Sequence, residues 1–119
     1  MIAIRGATTV LNDEKTEIIS ATAEMLDLIM SKNKLKKEDL LFILFSTTDD
    51  IKSFYPAAAA REAGYTACAL YSSSEPDISG ALKKCIRVMV VADRDKPKEE
   101  VKHVYLNGAR NLRRDLSDD

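Results

Sequence analysis

Cys85-Ile86-Arg87-Val88-Met89-Val90-Val91 is the stretch whose reading decides the fold. Apart from Arg87 every residue is apolar, and the run is bounded by polar turns. Such a run reads as a strand buried on both faces in the interior of a sheet. A guanidinium cannot be neutralised at any relevant pH, and burying it unpaired is very costly. Arg87 must therefore meet either a carboxylate of the protein or an anionic ligand. Ile2-Ala3-Ile4-Arg5-Gly6-Ala7-Thr8-Thr9-Val10 repeats the theme, with Arg5 inside a β-prone run. Two permanent cations carried on strands are a floor on which a dianion could sit.

Working outward, Ile2 to Thr9 reads as the first strand. Asn12 or Asp13 caps a helix whose Ile18, Thr22, Met25, Leu26 and Ile29 share one face at helical spacing, running to about Lys32. Leu40-Leu41-Phe42-Ile43-Leu44-Phe45 reads as a strand too apolar to face water on either side. Pro56 opens a short helix, Ala57 to Glu62, with Gly64 at its C′ position. Thr66 to Ser72 is the third strand, followed by a polar loop, Ser73-Ser74-Glu75-Pro76-Asp77. Ser79 to Lys84 turns into the Arg87 strand. A helical turn from Pro97 precedes a last strand, Val101 to Leu106, closed by Asn107-Gly108. The tail 109–119 packs through Leu112 and Leu116 and is expected to be mobile. The expectation is one α/β domain (α+β in its layering) spanning 1–119, with a mixed sheet and flanking helices.

Composition narrows the function. The chain has 119 residues, 45% apolar and 31% charged, with a net charge of −1. It has no basic stripe with interleaved aromatics, so no nucleic-acid partner is expected. No apolar segment approaches the ~20 residues of a membrane span, so no membrane partner is expected either. The N-terminus lacks a signal-peptide layout, and Cys68 and Cys85 lie in strand-like runs. The expected setting is the cytoplasm, with both thiols reduced core residues. His103 is the single histidine, which leaves no histidine triad and no zinc cluster. Asp49-Asp50 and Asp93/Asp95 flank turns without the oxygen ligands of a Ca²⁺ or Mg²⁺ site. No glycine-rich phosphate loop follows Gly6. No metal and no cofactor are expected.

Each remaining candidate has an ordinary reading beside its functional one. Arg87 could be salt-bridged, Arg5 an edge charge, Glu75 a solvated turn residue, Tyr105 half-buried packing and Arg61 a surface charge. Their joint presence is what asks for a common role.

Ile4 to Val10, Tyr55-Pro56-Ala57, Gly80 through Leu82-Lys83-Lys84-Cys85-Ile86-Arg87-Val88-Met89, and His103-Val104-Tyr105-Leu106 with Leu112-Arg113 resemble the monofunctional, AroH-type chorismate mutases. The resemblance runs from Ile4 to about Leu116, its segments in the same order and at matching distances. It implies a homotrimer whose sheets form a pseudo-α/β-barrel, with active sites at the subunit interfaces. It also implies the [3,3] rearrangement of the substrate chorismate to prephenate, a step toward phenylalanine and tyrosine. That intramolecular reaction requires no nucleophile, general base, metal or redox cofactor. It gains from a compact conformer and from positive charge beside the breaking ether bond.

By the family pattern Arg87 is that charge, while Arg5 and Tyr105 hold the enolpyruvyl carboxylate and Glu75 accepts the ring hydroxyl. Tyr71, Ser72, Ser73 and Ser74 line the same wall. Tyr55, Ala57, Leu70 and Leu112 form apolar walls, and Arg61 and Arg113 draw in the dianion. If Tyr55, Ala57 and Arg61 come from the neighbouring subunit, a monomer is inactive. Three positions depart from the pattern: Ser72 stands for cysteine, Ala58 for lysine, and Arg114 for the proline of a Leu-Arg-Pro-Asp-Leu tail. Two other readings remain at this level, a binding module for small carboxylates and a purely structural interaction protein.

Overall fold

The computed structural model of the chain describes residues 1–113. Arg114 and Leu116 therefore lie outside the described residues. Strand β1 (Ile2–Thr9) leads to helix α1 (Lys15–Lys32), strand β2 (Leu40–Thr47) and helix α2 (Pro56–Glu62). Strands β3 (Ala69–Ser74), β4 (Cys85–Ala92) and β5 (Val104–Tyr105) follow. Short 3-10 turns sit at Lys37–Asp39, Lys98–Glu100 and Asn107–Ala109.

The five strands form one mixed sheet in the order β3-β2-β4-β1-β5. β4 runs antiparallel to both neighbours, β1 and β2, so the Arg87 strand occupies the centre; it is not buried on both faces, because Arg87 and Met89 are only half-buried on the side away from the helices. The outer pairs, β2 with β3 and β1 with β5, are parallel. On one face Ile4, Ile43, Phe45, Ile86, Val88 and Val90 pack with Ile18, Met25, Leu26 and Ile29 of α1, all buried. Each such side chain stabilises the fold by roughly 1.5–3 kcal/mol. β1 comes so near α1 that a Cβ on Gly6 would lie 2.8 Å from both Ile29 Cδ1 and Val88 Cγ2. α2 ends as its sequence implies, with Gly64 at φ +96° beyond the last turn.

The elements differ from the sequence reading in four further places. Helix α1 is capped at Glu14 without a side-chain bond; the Asp13 carboxylate turns to another segment, as described below. β3 begins at Ala69 rather than Thr66 and continues through Ser73 and Ser74, which pair with Ser46 and Thr47. There the backbone ladder overrides the polar side chains that suggested a loop. β2 is not buried on both sides: Leu41 and Leu44 are 43% and 42% exposed.

The last strand is only Val104–Tyr105, not Val101 to Leu106, because side chains take the neighbouring backbone groups. The Asn33 amide accepts from Lys102 N–H at 2.8 Å and donates to Lys102 C=O at 2.9 Å. The Arg5 N–H donates to His103 Nδ1 at 2.9 Å in place of a backbone carbonyl.

Asn33 is fully buried and also donates to Ile29 C=O at 2.8 Å. Asn33→Ala would strand the Lys102 groups and is expected to lower unfolding free energy by ~2–3 kcal/mol in a urea titration.

Candidate active site

Sheet register assembles the site. Residues directly opposite one another on paired strands point to the same face. Arg87 lies opposite Ser46 on β2 and Ala7 on β1, while Ser46 pairs with Ser73 and Ala7 with Tyr105. One row across the sheet therefore reads Ser73, Ser46, Arg87, Ala7, Tyr105. The next row reads Tyr71, Leu44, Met89, Arg5. Both cations and Tyr105 thus share the face opposite the helices.

The entry to β4 is held tightly, which fixes Arg87. Lys84 has φ +48°, and its N–H reaches both Asp50 oxygens at 3.0 and 2.9 Å. Thr48 Oγ1 accepts from Cys85 N–H at 2.9 Å and donates to Asp50 at 2.5 Å. Partial burial pushes the Asp50 carboxyl up, but the Thr48 hydroxyl and the Lys84 N–H outweigh it and leave its pKa below 3.8.

Asp13 and Asp39, which also accept backbone N–H groups, lie below 3.8 as well. These lowered carboxylates stabilise the fold fully above the unfolded carboxylate range and lose that contribution as pH falls through their folded values. Thermal stability is expected to be flat from about pH 7 to 5 and to fall below about pH 4, read by melting curves across pH.

Glu75 follows β3 directly, its N–H donating to Thr47 C=O at 2.8 Å. Its Oε1 lies 3.1 Å from Arg87 Nε, with the two side chains 19% and 42% exposed. That Nε is buried and makes no well-directed hydrogen bond, so the contact is an ion pair with off-line geometry. Because Nε is covered, the open surface of Arg87 belongs to its other atoms. Of the two alternatives for this cation, the protein's own acid is present, and beside the pair lies a cavity. Cys85 sits close by, its thiol pushed up by burial despite the pull of Arg87, and stays protonated at neutral pH. Both cysteines are free thiols.

The cavity, about 310 Å³, is lined by Arg5, Glu75, Arg87 and Tyr105 together with Leu44, Ser46, Ser73 and Met89. All four candidate catalytic side chains converge there. Arg5 has no acid within ion-pair distance among the described residues. Tyr105 is 5% exposed and packs with Ala7, Cys85 and Ala109, against which Leu112 and Leu82 rest.

A second cavity, about 760 Å³, contains Tyr55, Ser72, Ser73 and Ser74, with Thr47 and the loop 51–54 around them. Ser73 and Phe45 border both cavities. Ala57 is buried in the main core, Leu70 packs at its edge, and Arg61 is exposed on the last turn of α2. Tyr71 is 66% exposed beside Leu44. Arg113 is half-buried. Within one chain the candidates thus form two groups: Arg5, Glu75, Arg87 and Tyr105 in the smaller cavity, Tyr55 and the serines in the larger. Sequence reasoning missed Ser46 and Met89. Only the strand order places them beside Arg87, and period-two alternation from Leu44 to Ser46 is the one local signal.

A central-strand arginine paired with an acid, a second arginine and a tyrosine line one cavity on the open face of a small α+β domain. The chain belongs to the family of chorismate mutase type I, whose model matches residues 1–116. It is 43% identical over 115 residues to the chorismate mutase AroH of Bacillus subtilis (strain 168), covering 96% of this chain and 91% of that protein. The chorismate mutase AroH of Thermus thermophilus is 40% identical over 114 residues, covering 95% and 93%. A solved structure of a chorismate mutase from Clostridium thermocellum superposes with a TM-score of 0.90 at 45% identity, covering 92% of this chain and 98% of that one.

Proposed function

We propose that the chain is a chorismate mutase, an isomerase that converts chorismate to prephenate in aromatic amino-acid biosynthesis, at the cavity floored by Arg87. Family membership supports the reaction. The convergence of Arg5, Glu75, Arg87 and Tyr105 on one cavity is the observation that carries the site.

The roles follow from charge. Arg5 and Tyr105 hold a carboxylate, fixing the folded conformer in which the two reacting carbons meet. The Arg87 guanidinium faces the ether oxygen, on which negative charge grows as the C–O bond breaks. Its pairing with Glu75 fixes it before substrate arrives, so little reorganisation is needed at the barrier. Glu75 in turn accepts the ring hydroxyl, which an isolated anion-binding cleft would have no reason to provide.

The active form is a homotrimer in which a second copy covers the open face. Leu44 and Tyr71 are large apolar residues left exposed there, and Leu44 belongs to a strand whose sequence calls for burial. Tyr55, Ala57 and Arg61 of a neighbour then complete the site, with Leu70, Tyr71, Ser72, Ser73, Ser74, Leu112 and Arg113 at its walls. We read residues 1–119 as a single domain working in the cytoplasm. Among the described residues no helix is long and apolar enough to cross a membrane.

The test is the ultraviolet absorbance of chorismate with purified protein. Decay far above the uncatalysed rate, with prephenate as product, is expected. Binding without decay would favour a carboxylate-binding module.

A further inference from the structure

The loop 51–55 has neither helix nor strand, yet Ile51, Lys52, Ser53, Phe54 and Tyr55 form a wall of the larger cavity. Its position comes from a distant residue. Asp13 Oδ1 accepts the backbone N–H groups of Lys52 and Ser53, both at 3.0 Å. The Ser53 hydroxyl donates to Asp13 C=O at 2.7 Å. Lys15 adds a cation-π contact, its Nζ 4.8 Å from the centre of the Phe54 ring. Two N–H groups on one carboxylate oxygen are charge-assisted bonds, stronger than neutral ones. Although partial burial pushes the Asp13 carboxyl up, its bonds to Lys52 and Ser53 pull it lower still, so it stays ionised at neutral pH. Asp13 does not cap α1.

We propose that Asp13 is a positioning residue for the active site: by clamping the loop 51–55 it fixes where Tyr55 stands as a substrate wall of the neighbouring copy's site. This rests on the reading of Tyr55 as such a wall. A wall touches ground state and transition state about equally, so loosening it raises KM and spares kcat.

Kinetics of Asp13→Ala, Asp13→Asn, Tyr55→Ala and the double variant Asp13→Ala/Tyr55→Ala test the proposal, with melting temperatures beside them. Asp13→Ala is expected to raise KM ~3–10-fold with kcat within about 2-fold. Asp13→Asn keeps an oxygen acceptor and should hold KM within about 2-fold of the parent. In the Tyr55→Ala background Asp13→Ala should add little, because its effect passes through Tyr55. A lowered melting temperature with unchanged KM, or a full additive effect in the double variant, overturns the clamp. Tyr55→Ala with unchanged KM overturns instead the underlying reading of Tyr55. Should Asp13→Ala fail to fold, Ser53→Ala removes only the hydroxyl bond. It should raise KM about 2-fold in the parent and not in Tyr55→Ala, and no KM change in the parent overturns the proposal.

Discussion

Arg87→Ala is expected to lower kcat/KM at least ~100-fold while the fold survives. Removing one preorganised donor to a developing oxyanion typically costs ~3–4 kcal/mol, and a full charge beside the breaking ether bond should matter no less. The fold should tolerate the change because Arg87 lies on the open face, 42% of its side chain exposed, and not in the core under α1. Its partner Glu75 remains at the edge of a cavity where water can reach it. Far-ultraviolet circular dichroism and a melting curve separate lost chemistry from lost structure. Near-parental turnover by folded Arg87→Ala would refute the electrostatic account.

Leu44→Asp is expected to separate the copies and remove activity, also by ~100-fold or more. In one chain Leu44 is 42% exposed and lies in the row with Tyr71, Met89 and Arg5. An aspartate there costs an isolated chain little. A second copy packed over the same place would bury the carboxylate without a partner, at several kcal/mol per site. Sedimentation or light scattering should show the parent at three times 13.2 kDa and the variant at the mass of one chain. A fully active variant of parental mass would contradict a covered open face.

How far the sequence could be read varies with the physics behind each element. The central strand was legible because its apolar run around Arg87 has few other homes, and α1 because its apolar residues recur at helical spacing. Gly64 was legible because a helix end favours the left-handed conformation it adopts. β5 was misjudged because its length depends on Asn33 and His103, 69 and 98 residues from their partners, and on hydrogen bonds no local pattern announces. β3 was shifted because Ser73 and Ser74 read as loop until the ladder with β2 is known. At the site, Arg87 and Arg5 stand out as charges in apolar strands. Glu75 and Tyr105 carry no such mark, and only the family resemblance singles them out. Asp13 looked like a helix cap because its position suits one, whereas its bonds lead to the loop 51–55.

In the proposed mechanism fixed positive charge at residue 87, rather than the shape of its side chain, lowers the barrier. The most direct measurement is kcat at saturating chorismate for Arg87→Lys against Arg87→Met, whose side chains are both unbranched and differ chiefly in charge. The lysine variant is expected to turn over at least ~10-fold faster than the methionine variant, as befits an interaction made in the transition state. Equal kcat values for the two variants would contradict it.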